Sequence, residues 1–222
     1  EDYIGRGLAT GDFDGDGYAD LVIGSPYKEA ISGYNSGMAE VFSGEAGGTF
    51  SVEPTFVSNG DHGSDYYGQS VAGCDVNGDG FDDLLVGAFH DEDRDGLVTY
   101  NSQGALHLYL GGAAGLSTAA YHVRYGAVPS PTGWQAQNSI ELGHALATGD
   151  VDGDGYCDAV VSSYKYSSND GAVFVYQGSP TGLSEDPVAA WTGESATSGG
   201  RDHFGRHLAT GDVDGDGKDD IL

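Results

Sequence analysis

Four stretches of the chain place oxygen-bearing side chains at a spacing that suits a metal ion. The first reads Asp12-Phe13-Asp14-Gly15-Asp16-Gly17-Tyr18-Ala19-Asp20, and the pattern returns at Asp75–Asp83 (DVNGDGFDD), Asp150–Asp158 (DVDGDGYCD) and Asp212–Asp220 (DVDGDGKDD). The shared form is D-x-[DN]-G-D-G-x-x-D. Positions 1, 3, 5 and 9 offer side-chain oxygens, and position 7 offers its backbone carbonyl. The candidate ligands are Asp12, Asp14, Asp16, Tyr18 and Asp20 in the first copy, and Asp75, Asn77, Asp79, Phe81 and Asp83 in the second. They are Asp150, Asp152, Asp154, Tyr156 and Asp158 in the third, and Asp212, Asp214, Asp216, Lys218 and Asp220 in the fourth. Glycines at positions 4 and 6 allow the tight turn that wraps these oxygens around one point. An all-oxygen set of this size suits Ca²⁺, whereas Mg²⁺ demands a strict octahedron and keeps its waters.

An EF-hand loop opens the same way but closes with an acid at position 12. Here that position is Ile23, Val86 and Val161, and the fourth copy reaches Leu222 first. The closing ligand is therefore the Asp at position 9. The residues that follow (Leu21-Val22-Ile23, Leu84-Leu85-Val86, Ala159-Val160-Val161) are apolar and β-prone, so the loop joins two strands. Asp-Gly segments are often plain solvated turns, but four copies with the same positions filled argue for metal. Asn77 removes one charge from the second copy and weakens it.

Successive loops begin 63, 75 and 62 residues apart, which defines a repeat near 62 residues with one insertion. Such a length holds four strands of ordinary size with their turns. The expected blades are 4–63, 64–139, 140–201 and a partial 202–222. The third strand of each ends in an aromatic or Leu before a Gly turn: Phe42-Ser43-Gly44, Tyr109-Leu110-Gly111, Tyr176-Gln177-Gly178. Fourteen strands and no helix are expected. The fold class is all-β, with β-propeller blades of four antiparallel strands: three full blades and the first hairpin of a fourth.

The chain resembles the FG-GAP repeats of the integrin α-subunit propeller and their prokaryotic relatives. The "FG" pair stands as Phe204-Gly205, Tyr67-Gly68, Leu142-Gly143 and Ile4-Gly5. "GAP" stands as Gly24-Ser25-Pro26 and Gly87-Ala88-Phe89, and is degraded to Ser162-Ser163-Tyr164 in the third copy, where the turn is expected to differ. The resemblance implies calcium in the loop between the first two strands of a blade. Loops of this type fill at extracellular calcium levels, and the leading expectation is a non-catalytic extracellular segment with an adhesion or assembly role and a protein or glycan ligand. Such repeats accompany secreted hydrolases and lyases too, and a lectin-like glycan-binding module is a further possibility. Three blades and a hairpin are too few to close a ring of 4–8. The remaining blades are expected from the same longer chain, or else from other copies.

A formal charge of −27 argues against nucleic acid and anionic membrane, and four Ca²⁺ would still leave about −19. No apolar run approaches the ~18 residues of a membrane span, and Glu1 begins no signal peptide. Cys74 and Cys157 sit at different places in different repeats and read as two free thiols. His90 lies among Asp91, Glu92, Asp93 and Asp95, which reads as a solvated acidic loop before a metal site. His107 alternates with apolar neighbours, and His144 and His207 stand at blade entrances; all three read as structural. No nucleophile elbow, phosphate loop or zinc-protease pair is present. Tyr66, Tyr67, Tyr121, Tyr125 and Trp134 could stack on sugars or anchor partners, or simply pack between blades.

Overall fold

The computed structural model describes residues 3–30, 32–92, 102–130, 133–136, 139–194 and 203–222. The first repeat comprises β1 (Gly7–Gly11), β2 (Asp20–Ser25), β3 (Met38–Phe42), a small hairpin of β4 (Gly44–Glu45) with β5 (Thr49–Phe50), and β6 (Phe56–Asn59). The second comprises β7 (Tyr67–Cys74), β8 (Asp83–Ala88), β9 (Ala105–Tyr109) and β10 (His122–Tyr125), then a separate hairpin of β11 (Ala127–Ser130) with β12 (Gly133–Ala136). The third comprises β13 (Leu146–Gly149), β14 (Asp158–Ser163), the four-residue helix α1 (Tyr166–Asn169), β15 (Ala172–Tyr176) and β16 (Ala189–Thr192). The hairpin of β17 (Thr210–Gly211) with β18 (Asp220–Ile221) completes the described residues.

Three sheets therefore have four antiparallel strands in sequence order, β1-β2-β3-β6, β7-β8-β9-β10 and β13-β14-β15-β16, and the fourth repeat contributes its first hairpin. The first strands are neighbours: β7 packs on β1, β13 on β7 and β17 on β13. The sheets thus stack side by side with their first strands innermost, as propeller blades do. Two expectations need correction. The described residues form eighteen strands, because β4/β5 and β11/β12 add two short hairpins, and they include the single turn α1. Elements of two to four residues are too short to print a hydrophobic period.

Burial explains the apolar second strands. All six residues of β8 and all six of β14 are buried, since a sheet covers each face. The core is accordingly built between blades. Phe13, Val22 and Val41 of the first repeat pack with Tyr67, Leu84 and Val86 of the second, and Ala72, Leu85 and Leu108 of the second pack with Ala159, Val161 and Phe174 of the third. Tyr67 is core, its hydroxyl donating to Tyr109 Oη at 2.8 Å.

The two repeated dipeptides meet at each boundary. A Cβ on Gly24 would stand 2.1 Å from the carbonyl oxygen of Gly68, and one on Gly87 2.3 Å from that of Gly143, so these backbones touch where a side chain cannot fit. The degraded third copy keeps the bond between the two motifs, while the helical turn α1 follows where the first two copies close with Lys28 N–H to the Ser25 carbonyl (3.1 Å) and Asp91 N–H to the Ala88 carbonyl (3.0 Å). The Ser162 carbonyl accepts from Gly143 and His144 N–H (3.0 and 3.3 Å) as the Gly24 carbonyl accepts from Gly5 and Arg6 (3.1 and 3.0 Å).

Candidate functional site

Each acidic loop hangs between the first two strands of a blade. Gly11 pairs with Asp20, Cys74 with Asp83, Gly149 with Asp158 and Gly211 with Asp220, so positions 1 to 8 form the connection and position 9 begins the second strand. The glycines at positions 4 and 6 take positive φ in every copy, for example Gly153 (79°) and Gly155 (90°). That geometry folds the amides inward. In the third loop Asp150 Oδ1 accepts from Gly153 and Asp154 N–H (2.7 and 3.0 Å), and Oδ2 accepts from Gly155 (3.0 Å). Asp152 Oδ1 accepts from Asp154 N–H and Asp154 Oδ1 from Tyr156 N–H, both at 3.0 Å. The first loop repeats this through Asp12, Asp14, Asp16 and Tyr18, the second through Asp75, Asn77, Asp79 and Phe81, and the fourth through Asp212, Asp214, Asp216 and Lys218.

Position 9 fastens the loop to the blade. Asp20, Asp83 and Asp158 are buried. One oxygen of each accepts from the position 2 amide, that of Phe13, Val76 or Val151. The other accepts from the glycine amide after the third strand, that of Gly44, Gly111 or Gly178, at 2.8–2.9 Å. Asp220 keeps the first of these bonds, to Val213 at 3.0 Å. Burial pushes the Asp20, Asp83 and Asp158 carboxyls up despite the donors, with neighbouring loop acids adding to the rise, Asp83 to about 6.

Ligand oxygens of Asp12, Asp14 and Asp16 lie within 4.8 Å of one another, as do those of Asp150, Asp152 and Asp158, and of Asp212, Asp214 and Asp220. The second loop brings no three carboxylates so close; Asn77 Nδ2 instead donates to Asp79 Oδ2 at 3.0 Å. Among the described residues, no Lys, Arg or His forms an ion pair with a loop carboxylate. Among the described residues the loop carboxylates accept from backbone amides, from the Asn77 side chain and from the Gln177 side chain, which donates to Asp152 Oδ2.

Each loop also rests on the next. A Cβ on Gly15 would meet the ring of Phe81 at 2.5 Å, and one on Gly78 the ring of Tyr156 at 2.6 Å, so position 7 of one blade lies over the loop of the blade before. Lys218 does the same above Gly153, and its Nζ donates to the Asp152 carbonyl. At position 8, Asp82 Oδ2 accepts from Asp12 N–H (2.8 Å) and Asp219 Oδ2 from Asp150 N–H (2.9 Å). Between the second and third blades this place is taken by Cys157, which forms a disulfide with Cys74, Cα–Cα 6.2 Å. The free-thiol expectation is thus wrong. Position 8 of one repeat faces the residue just before position 1 of the preceding repeat, so the two cysteines are spatial neighbours although they occupy different repeat positions.

The remaining candidates fall as follows. His90 Nε2 lies 3.2 Å from Glu141 Oε1, which also accepts from Lys165 Nζ at 2.7 Å, and Asp91 engages His107 Nε2 at 2.9 Å. These described members of the acidic loop do not converge on one point; Asp93 and Asp95 lie outside the described residues, as does the side chain of Trp134. At the ends of the strands opposite the metal loops, Tyr27, Tyr66, Phe89, His144 and Tyr164 form a continuous line of ring contacts across the blade boundaries, with centroids 4.1–5.8 Å apart. Tyr121 is half exposed. Sequence reasoning passed over Asp61, His62 and Asp65, whose ligand atoms also lie within 4.8 Å. The D-H-x-x-D spacing was the available signal. Burial holds the Asp65 carboxyl well above the usual range, and its Oδ2 accepts from His62 N–H at 2.7 Å.

Comparison with known proteins follows the same repeats. The FG-GAP repeat model matches residues 4–39 and 67–109, and the FG-GAP-like repeat model matches 150–222. Integrin alpha-5 of Xenopus laevis is 30% identical over 227 residues, covering 100% of this chain and 20% of its own length. Integrin alpha pat-2 of Caenorhabditis elegans is 33% identical (99% and 18%), and integrin alpha-PS2 of Drosophila melanogaster 32% (100% and 15%). The chain thus spans a fifth or less of these relatives. Among solved structures, the exotype rhamnogalacturonan lyase YesX superposes with a TM-score of 0.56 at 17% identity, over 97% of this chain and 38% of that one. Bacillus licheniformis rhamnogalacturonan lyase PL11 gives 0.56 at 18% identity, over 97% and 39%. At such identity the likeness is one of fold.

Proposed function

Because the chain belongs to the FG-GAP repeat family and is integrin-α-like along its whole length, we propose that it is a calcium-binding segment of an extracellular β-propeller, non-catalytic, with an adhesion or assembly role. One observation carries the calcium reading: carboxylates converge to within 4.8 Å in three loops, and among the described residues no Lys, Arg or His forms an ion pair with them, Lys218 reaching only the Asp152 carbonyl. At such distances like charges repel, and the repulsion opposes folding until a cation replaces it with attraction. Asp12, Asp14, Asp16 and Asp20 would hold one ion, with the Tyr18 carbonyl, and the corresponding residues would serve in the other loops. The ion supplies charge neutralisation and fixes the loop. The chain's own residues fix the blade, through position 9 and the inter-blade bond from position 8. Loops of this kind fill at the millimolar calcium found outside cells, which is consistent with the extracellular setting that the family name of its relatives suggests.

A second reading is favoured by the likeness to rhamnogalacturonan lyases: a propeller scaffold within a secreted polysaccharide-active enzyme. Calcium would play the same structural part there. Calorimetric titration with Ca²⁺ tests the shared claim. Saturable uptake by several sites per chain is expected, and no uptake by a folded chain would refute it. Depolymerisation of rhamnogalacturonan by the full-length protein would replace the first reading with the second.

A further inference from the structure

The innermost strands of all four repeats line one cavity of about 430 Å³ on the side away from the outer strands. Its wall repeats with the blades. The residue after each "FG" pair is Arg6, Gln69, His144 or Arg206, and His207 follows Arg206. Further along the same strands the wall is aliphatic, through Leu8, Val71, Leu146 and Leu208. Among the described residues no Asp or Glu lines this cavity, in a chain that has 35 acids and only eight Lys and Arg.

The cations there are unspent. Arg6 Nε donates to Gln69 Oε1 at 3.1 Å, and among the described residues neither Arg6 nor Arg206 has a carboxylate partner. Both are exposed. By contrast Arg124, elsewhere in the fold, is tied to the carbonyls of Leu183 and Ser184. His144 reports the local field: burial and then the nearby charge of Arg6 lower its basicity, with Arg206 and His207 adding to the effect and Glu141 opposing it.

We propose that this axial cavity is an anion-binding site that receives an acidic peptide segment of a partner protein, its carboxylate held by Arg6 and Arg206 and its aliphatic neighbours seated on Leu8, Val71, Leu146 and Leu208. Guanidinium groups bind carboxylates with paired, directional bonds. Among the described residues the walls carry no Phe, Tyr or Trp for a sugar to stack on, their only rings being the imidazoles of His144 and His207, and further along the strands they are hydrocarbon, which favours an acidic peptide over an acidic saccharide. Low-dielectric walls lined by one sign of charge concentrate a ligand of the other sign, even where the net charge is unfavourable. The site stands on the inner strands and not on the metal loops, so it can fail while the calcium reading holds, and the reverse.

The test is calorimetric titration of the calcium-loaded protein with an acetylated, amidated tetrapeptide of alternating leucine and glutamate. Saturable binding is expected. It should weaken at least roughly tenfold when the glutamates become glutamines, and again in the R6Q/R206Q variant, as loss of a charged hydrogen-bonding partner requires. The K28Q variant, which removes the same kind of charge from the Lys28–Glu40 pair at 3.6 Å, should bind as wild type. Should R6Q/R206Q misfold, R206Q alone decides, since Arg206 makes no side-chain bond among the described residues. The proposal is overturned by absence of saturable binding, by equal affinity for the glutamine peptide, by equal loss in K28Q, or by digalacturonate binding more tightly than the peptide.

Discussion

Asp82 Oδ2 accepts a hydrogen bond from the backbone N–H of Asp12 at 2.8 Å, so the acidic loop of the second blade holds the first residue of the loop before it. The backbone follows the same path, with Asp82 N–H donating to the Asp12 carbonyl at 3.0 Å. Asp219 and Asp150 repeat both bonds between the third and fourth blades. Loop geometry and blade stacking are therefore one system, and perturbing either should be felt in both.

Replacing Asp82 with Ala leaves the Asp12 amide without its side-chain partner. An unsatisfied, partly buried donor costs about 1–3 kcal/mol. Urea denaturation of Asp82→Ala in calcium should show a loss in that range, together with weaker calcium uptake at one site. A midpoint unchanged from wild type would show that the inter-blade bond contributes nothing.

The Cys74–Cys157 bridge closes a loop with a sequence separation of 83. Constraining an unfolded chain over such a loop stabilises by about 2–4 kcal/mol. Unreduced protein in denaturant should titrate with no free thiol, and the C74S/C157S variant should lose stability on that scale. Two reactive thiols in the unreduced, unfolded chain would contradict the pairing.

His144 sets a pH dependence. Burial and then the charge of Arg6 lower it from 6.5 to about 4. In that interval the unfolded chain binds the proton and the folded chain does not, so its contribution to stability is present above about pH 6.5 and is lost as pH falls towards 4. Asp65, raised by burial, works in the opposite direction, so the comparison must be between proteins. Between about pH 7 and pH 4.5 wild type should lose more melting temperature than His144→Gln. Equal losses would mean that the ring titrates alike in both states.

Replacing Asp154 with Ala removes one carboxylate from the third loop. Calcium titration should show one site weakened and the others filled as before, since sites in separate blades share no ligands. Uniform weakening of every site would mean that the loops are coupled more tightly than the hydrogen bonds indicate.

Much of this was legible in the residues. Asp-x-Asp-Gly-Asp-Gly fixes a turn because Gly15, Gly17 and their counterparts need positive φ, and the apolar run after position 9 marks a strand covered on both faces. The disulfide was hidden because a repeat's own sequence does not say which of its positions face its neighbour. Asp82 and Asp219 at position 8 reveal that facing only once the blades are stacked. The hairpin of β11 and β12 was missed because Pro129 sits within it, paired with Trp134, and proline argues against a strand except at an edge. The residues before each "FG" pair, Tyr3, Tyr66, Glu141 and His203, all take φ between 43° and 58°. Their types share no feature that would have announced it.

Thermal unfolding with chelator and with millimolar Ca²⁺ tests the central claim most directly. Removing the ions returns the repulsion among the converged carboxylates, so the melting temperature should fall by many degrees and recover when excess Ca²⁺ is restored. Superimposable melting curves in chelator and in calcium would contradict the account.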